Sequence, residues 1–357
     1  KGSEISFRIG KPIPWESIAA MDLSKKAVAK LMRKQVYLLS QKKKKELFKP
    51  IENIIHPVRT KLIRKELKAS QLIGKTQDGK HIYLFDYMPN SSVMREIGRL
   101  RELSFRQVQE GTGNALDIDS YDRYYRHLIL WDEDELEIIG SYRIGEAAKI
   151  LKKHGEAGLY THSLFKFNQS FIPYLEHSIE LGRSFIQPRY QGKRSLDYLW
   201  YGIGAYLYQH PEIRYLIGPV SLSTSWPEPA QKVIASFYTE LFGNNKILVD
   251  PRLPFDFEPI QEFAPFTQVA DEENYKQAYA ILKALMDDFG VKVPILYKQY
   301  VELCQPGGCE FLGFNIDPSF SNCVDALILV HINTIKEKKH QRYIESHAAV
   351  FQKRDSA

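Results

Sequence analysis

The sequence predicts an α/β fold with parallel strands joined by a crossover helix at its centre. Two strand-like runs, 179–186 (IELGRSFI) and 214–221 (RYLIGPVS), are each bounded by Pro or Gly. Between them Leu196, Leu199, Trp200, Ile203 and Leu207 recur at spacings of three and four, the signature of a helix about four turns long. This β-α-β rhythm implies a right-handed crossover between parallel strands. A second pair of runs, 127–131 and 136–144, flanks the acidic turn 132–135 and reads as a hairpin.

The bulk composition narrows the class. A chain of 357 residues holds one large domain or two modest ones and buries a sizeable core. Its 44% hydrophobic and 26% charged residues are ordinary for a soluble globular protein. No apolar run reaches the roughly 18 residues of a membrane span, and no signal peptide is visible, so a cytoplasmic setting is expected. Cys304, Cys309 and Cys323 lack zinc-ligand spacing, and their odd number argues against a disulfide framework. The start at Lys1 rather than Met fits a processed or excised chain.

Charge is unevenly spread. Residues 25–68 carry fifteen Lys/Arg against three Asp/Glu, about +12, although the whole chain is only +6. The remainder is therefore mildly acidic. A local polycation attracts anionic lipid headgroups, acidic carrier proteins or nucleic acid. Nucleic acid is not expected, because neither aromatic interleaving nor a known motif accompanies the charge.

In chain order, 5–14 (ISFRIGKPIP) reads as a short strand ending at prolines. Residues 27–48 read as a basic helix whose 42–45 lysine run is a solvated end, and 51–73 as a second basic amphipathic stretch. Residues 79–87 (GKHIYLFDY) alternate as a strand. His81 and Asp86 there have an H-x4-D spacing, but period two puts i and i+5 on opposite faces, so the match is taken as chance. A helix over 93–109, capped by Ser91 or Ser92, carries Arg101 and Phe105 on one face. Residues 117–122 (DIDSYD) form a loop before the hairpin. After the β-α-β unit come a helix over 229–242, a Pro-rich loop over 250–266 and a helix over 272–289. A further helix begins at 293, final strands span 309–315 and 326–332, and the charged tail from 336 is expected to fray. The expected layout is a basic, mostly helical extension (1–75), a catalytic domain (76–335) and the tail (336–357).

The chemistry concentrates at the β-α-β unit. Gln191, Gly192, Lys193, Arg194 and Ser195 form a turn at the helix N-terminus, where free N–H groups and the positive helix end seat a phosphate. Glu180 and Arg183 lie three apart on the incoming strand. A carboxylate and a guanidinium beside an anion-binding turn point to transfer of a phosphate-tethered group onto a nucleophile. No His/Cys/Asp cluster has metal-ligand spacing, so no metal is expected.

The run IQPRYQGK resembles the fourth strand and phosphate turn of the GCN5-related N-acyltransferase (GNAT) superfamily. The approach ELGRS resembles a narrower branch holding acyl-homoserine-lactone (autoinducer) synthases and the hemolysin-like N-acyltransferases of ornithine and glycine lipids. The D-x-Y-D loop, the hairpin and Ser-Tyr-Arg143 resemble the same branch, as do the Pro-containing helix and last strands. Residues 5–14 resemble the closing strand of a glycerolipid-type acyltransferase domain, implying a fused or partner O-acyltransferase.

The resemblance implies a GNAT fold: a central mixed, twisted sheet flanked by helices, here with a basic helical N-terminal extension. It implies an N-acyltransferase moving a long acyl chain, plain or 3-hydroxylated, to the amine of an amino acid, with a lyso-aminolipid as product. Where the superfamily turn carries Gly, this chain has Arg194, and where it carries Gly or Ala, Leu196. That departure fits an acyl carrier protein thioester, with its single pantetheine phosphate, better than acetyl-CoA. No bound cofactor is implied beyond the donor thioester. By the same resemblance Asp119, Asp122, His127, Arg143, Glu180 and Arg183 are the catalytic set. Arg101, Phe105, Ile186 and the turn 191–195 would bind the donor. Glu180 is either the base, directly or through water, or a structural ion-pair partner of Arg183 or Arg143. Asp119 and Asp122 would recognise the acceptor ammonium or organise the acceptor loop, and Arg143 and Arg183 would hold the acceptor carboxylate or keep Glu180 ionised. The basic extension would hold the enzyme at the anionic inner membrane face. An acyl-CoA-dependent N-acetyltransferase or autoinducer synthase, and a non-catalytic lipid- or protein-binding module, are the alternatives.

Overall fold

The computed structural model describes residues 7–19, 21, 23–40, 47–48, 50–244, 246–266 and 272–348. Among these residues ten strands are present: β1 (Gln71–Lys75), β2 (His81–Asp86), β3 (Arg126–Asp132), β4 (Glu137–Glu146), β5 (Phe165–Phe167), β6 (Ser178–Ile186), β7 (Tyr215–Leu222), β8 (Val249–Pro251), β9 (Cys309–Asp317) and β10 (Cys323–His331). Eight of them form one sheet in the order β1-β2-β3-β4-β6-β7-β10-β9, while β5 and β8 pair separately. All neighbours in the large sheet are antiparallel except β6 and β7, the pair joined by the crossover helix Ser195–Gln209. The sheet is therefore mixed, as expected.

Helices cover both faces because the central strands are apolar on both sides; β10, for example, is buried from Cys323 to Val330. One face packs against Ser195–Gln209, Glu228–Phe242, Glu272–Asp288 and Ile295–Leu303. The other packs against Thr60–Lys68 and Ser92–Gln107. A third cluster fills one end around Tyr125, Tyr160, Phe165 and Phe171. Ser91 caps the helix Ser92–Gln107, its Oγ accepting from Met94 N. The Glu66 carboxylate also accepts from Ser91 Oγ, Ser92 N and Val93 N, satisfying the free donors of that helix start.

Several expectations need correction. Residues 7–14 form no strand: Pro12 O accepts from Ile51 N and Arg8 donates to Leu39 O and Ser40 O, contacts that do not build a ladder. The basic helix spans only Lys25–Leu38, and the 42–45 lysine run lies outside the described residues. The basic stretch 51–73 divides: 51–59 hold no regular element, Thr60–Lys68 is a helix whose Ile63 and Leu67 are buried, and β1 follows as a sheet edge. The C-terminal stretch does not fray at 336. The helix Glu337–Tyr343 docks on the crossover helix through the Arg342–Asp197 ion pair and the Tyr343 hydroxyl, 2.6 Å from Asp197. Gly204 permits that contact, since a Cβ there would lie 1.8 Å from the Tyr343 carbonyl oxygen. His81 and Asp86 do diverge on β2, to Tyr83 and Arg126 respectively. The three cysteines are buried and free.

Candidate active site

The site is built where β6 and β7 part. Their parallel ladder runs only from Ser178↔Tyr215 to Glu180↔Ile217. Gly218 lies so close to β6 that a Cβ on it would sit 2.1 Å from Leu181 O. Beyond this pinch Pro219 has no N–H to offer a ladder. On the other side β6 bulges: Arg143 pairs with Gly182 and Ser141 with Phe185, so Arg183 and Ser184 oppose the single residue Tyr142. Arg183 takes φ 48°, a left-handed conformation uncommon for a side-chain-bearing residue, which turns β6 away from β7. The resulting cleft, about 60 Å³, is walled by Arg183 and Ser184 of β6 and Pro219, Val220 and Ser221 of β7. Phe105, Tyr160 and Phe320 close its mouth, and Asp325 of β10 faces it.

Under the cleft lies a buried layer of charge. Arg101 is fully buried, its Nη1 2.8 Å from Asp122 Oδ1 and its Nη2 3.3 Å from His127 Nδ1. A guanidinium only donates, so His127 Nδ1 accepts and its Nε2–H donates to Asp122 O at 3.2 Å. Burial, reinforced by Arg101, pushes the His127 imidazole down to about 4 and keeps it neutral. Both of its nitrogens are engaged, so His127 is no free acid or base. Arg143 Nη1 reaches both oxygens of Asp119 at 2.7 Å and Asp122 Oδ1 at 3.4 Å. Asp119 and Asp122 each accept the other's backbone N–H. Burial raises the Asp122 carboxyl, but Arg101 and Arg143 outweigh it and hold the group well below the usual range.

Arg183 differs from its neighbours. Its side chain is 8% exposed, and Nε and Nη2 lie 3.5 Å from Asp117 and Asp119 without a hydrogen bond. The guanidinium is sandwiched by Phe320 and Tyr160, 4.5 and 4.9 Å from their ring centres. It thus faces the cleft with donors unspent.

Glu180 stands at the last ladder pair, 1% exposed, behind the cleft rather than on its wall. It makes no ion pair with Arg183 or Arg143. Its oxygens accept from Thr161 N (3.2 Å) and Thr161 Oγ1 (3.1 Å). Burial raises its carboxyl to about 7, against the lowering influence of Arg143 and Thr161. By holding Thr161, Glu180 fixes the adjacent Tyr160, whose ring lies between Arg143 and Arg183 and whose hydroxyl donates to Asp317 at 2.5 Å.

The structure separates the expected donor residues. Phe105 lines the cleft, packed edge-on against Phe320. Arg101 does not; it is sealed into the Asp122 and His127 network, neither a surface charge nor a pocket wall. Ile186 ends β6 half-buried, its carbonyl accepting from Gln191 Nε2. Gly192 sits at φ 73°, and Gln191 to Arg194 are exposed. Ser195 is buried and donates to Tyr190 O. Two surface hollows meet at this turn. One of about 450 Å³ touches Lys80, Arg189, Lys193, Arg194 and Ser195, and another of about 580 Å³ touches Lys75, Arg194 and Arg342. Arg189 is paired with Glu135 and Glu137.

Sequence reasoning missed Asp117, Tyr160, Thr161, Asp317 and Asp325. One signal was available: Asp325 interrupts the apolar run CVDALILV, and a lone acid in a doubly covered strand is uncommon unless it has a task. Among the described residues no His/Cys/Asp/Glu group could hold a metal, and no helix is long and apolar enough to cross a membrane.

Comparison with known proteins follows the same lines. Residues 100–201, from the buried arginine to the crossover helix, match the acetyltransferase (GNAT) domain. A glycine N(alpha)-acyltransferase of Phocaeicola vulgatus is 32% identical over 310 residues, covering 83% of this chain and 94% of that one. One from Bacteroides thetaiotaomicron is 33% identical, covering 83% and 92%. An L-ornithine N(alpha)-acyltransferase of Rhizobium meliloti is 30% identical over 117 residues, 31% of this chain and 38% of its own. The mixed sheet, the bulged and splayed β6 and this likeness along nearly the whole length of the glycine enzymes place the chain in the family of GNAT-type amino-acid N-acyltransferases.

Proposed function

We propose that this acyltransferase moves a long acyl chain from the phosphopantetheine thioester of acyl carrier protein to the α-amine of a small amino acid, with glycine the first candidate, making a lyso-aminolipid. One observation carries the reading: β6 parts from β7 beyond Glu180↔Ile217, opening a cleft lined by the Arg183 guanidinium, which makes ion pairs but no hydrogen bond among the described residues. A pantetheine arm entering from the turn brings its carbonyl to the edge of β6, where N–H groups beyond the last ladder pair lack a strand partner on β7. Such donors stabilise the oxyanion that forms when the amine attacks. Arg183 supplies the fork that holds the acceptor's carboxylate bidentately. Asp119 and Asp122 orient Arg143 and Arg101, and Glu180, through Thr161, keeps Tyr160 beneath Arg183. These are positioning roles, with Phe105 shielding the reacting atoms.

Carrier protein is favoured as donor source because Lys193, Arg194 and Lys75 border the hollows at the turn, while the acids Asp132, Glu135 and Asp197 there are paired with Lys80, Arg189 and Arg342. The two glycine enzymes, together with the small cleft, favour a small acceptor. The N-terminal region presents Phe7, Ile9, Trp15, Val36 and Tyr37, all more than 60% exposed, beside the lysines of Lys25–Leu38. That mixture suits peripheral binding to anionic lipid at the inner membrane face, from which a fatty product departs.

The test is a product assay by mass spectrometry. Carrier-bound 3-hydroxyacyl and unsubstituted acyl donors, and their CoA counterparts, are offered with a panel of amino acids. N-acyl glycine formed faster from the carrier than from CoA is expected. No N-acyl product from any pairing would refute the reading.

A further inference from the structure

We propose that Asp325 is the acceptor's ammonium site and the group that takes its proton, so that the amino acid is held as a zwitterion between Asp325 and Arg183. This rests on the reading of the cleft as the amino-acid acceptor site.

Asp325 lies on β10 directly opposite Ser221 of β7, and its side chain lines the cleft at 4% exposure. Its hydrogen-bond partner is the Cys323 thiol, a weak donor 3.8 Å away. The acids around it are better provided for. Glu110 accepts from Ser221 Oγ at 2.9 Å, and Asp317 from the Tyr160 hydroxyl, Ser319 N and Ser319 Oγ. Asp325 is thus a buried carboxyl group lining a cavity without a strong donor, an arrangement that disfavours its ionised form unless a cation answers it. The guanidinium across the cleft, Arg183, makes no hydrogen bond among the described residues. An acid with only a weak donor and a guanidinium whose ion pairs leave its hydrogen-bond donors open, on the same small cleft, match the two charged ends of an α-amino acid, and Phe105 and Phe320 leave little room for a side chain. Packing alone does not call for the acid, since its strand neighbours Val324 and Ala326 are apolar and buried.

The step balances as follows. The ammonium gives one proton to an Asp325 oxygen, and the freed lone pair forms the C–N bond at the thioester carbonyl. When the tetrahedral intermediate collapses the C–S bond breaks, and the leaving thiolate takes the second nitrogen proton. Asp325 then returns its proton to solvent. The groups facing Asp325 are Asp317 of β9, Glu110 after the helix Ser92–Gln107, Arg183 of β6 and Cys323 of its own strand. Burial, with Asp317 and Glu110, raises its carboxyl well above the usual range, which makes it a stronger base once the ammonium has drawn it into its ionised form.

The experiment uses the full chain and compares glycine with hydroxylamine, whose nitrogen is unprotonated at neutral pH. The background reaction of hydroxylamine with the thioester is subtracted. In D325N, glycine transfer is expected to fall at least 100-fold with the donor KM unchanged, while hydroxylamine transfer stays within about fivefold of wild type. E110Q, the neighbouring acid, is expected to keep glycine transfer. D325S repeats the comparison if D325N does not fold. Glycine transfer within threefold of wild type in D325N, equal loss of both acceptors, or a larger glycine loss in E110Q than in D325N would each overturn the assignment. Failure of the wild-type enzyme to acylate any amino acid would instead sink the acceptor reading beneath it.

Discussion

Glu180 offers a prediction with a sign. Its carboxyl ionises at about 7 in the folded chain because burial outweighs Arg143 and Thr161. The unfolded chain ionises it near 4.5. Between those values the folded state keeps a proton that the unfolded state has released, so stability falls as pH rises through the window. Once both states are ionised the cost is about 3 kcal/mol. The E180Q variant removes that cost, and near pH 5, where the folded carboxyl is protonated, it exchanges one neutral acceptor for another at Thr161. Urea unfolding followed by tryptophan fluorescence should therefore find E180Q within about 1 kcal/mol of wild type near pH 5. Near pH 8 it should be about 3 kcal/mol more stable. Glu110, also raised to about 7 by burial, and His127 titrate in the same range, but their contributions cancel in the difference between the two proteins at each pH. A difference that stays constant within about 0.5 kcal/mol from pH 5 to 8 would refute the reasoning.

Three further outcomes are expected. R101M leaves Asp122 buried beside fewer cations and should cost about 3–5 kcal/mol in chemical unfolding, with part recovered in R101M/D122N; a cost below about 1 kcal/mol would mean a surface charge. K193E/R194E should raise the KM for carrier-bound donor at least tenfold, an effect lost at high salt, with little change in kcat. W15A combined with V36S should lower binding to phosphatidylserine vesicles in a flotation assay while leaving transfer to soluble substrates intact.

Much of the fold could be read from local patterns. The β-α-β unit and the hairpin were legible because period two, period 3.6 and Pro/Gly punctuation coincide there. Strand β1 was not, since QLIGK is short and follows a basic helix without a break in composition. The docked C-terminal helix was hidden for a different reason: its contacts with Asp197 and Gly204 join residues more than a hundred positions apart. At the site, the resemblance named residues that do gather around β6, but it carried no information about which are spent. Arg101, His127 and Asp122 hydrogen-bond one another, whereas Arg183 has ion pairs at 3.5 Å and no hydrogen bond among the described residues. Only geometry separates a buried network that fixes shape from a group left open for a ligand. Asp325 and Tyr160 come from segments with no motif of their own, and only the antiparallel pairing of β10 with β7 and the turn held by Glu180 bring them to the cleft.

The central claim is that a pantetheine arm threads the gap between β6 and β7, and Ser184 on that wall tests it. The S184C variant, exposed to pantetheine disulfide, should form a mixed disulfide, seen by intact-protein mass, at least ten times faster than the surface variant S225C. An acyl-thioester donor should suppress the reaction. Equal or slower labelling of S184C, unaffected by donor, would contradict the claim.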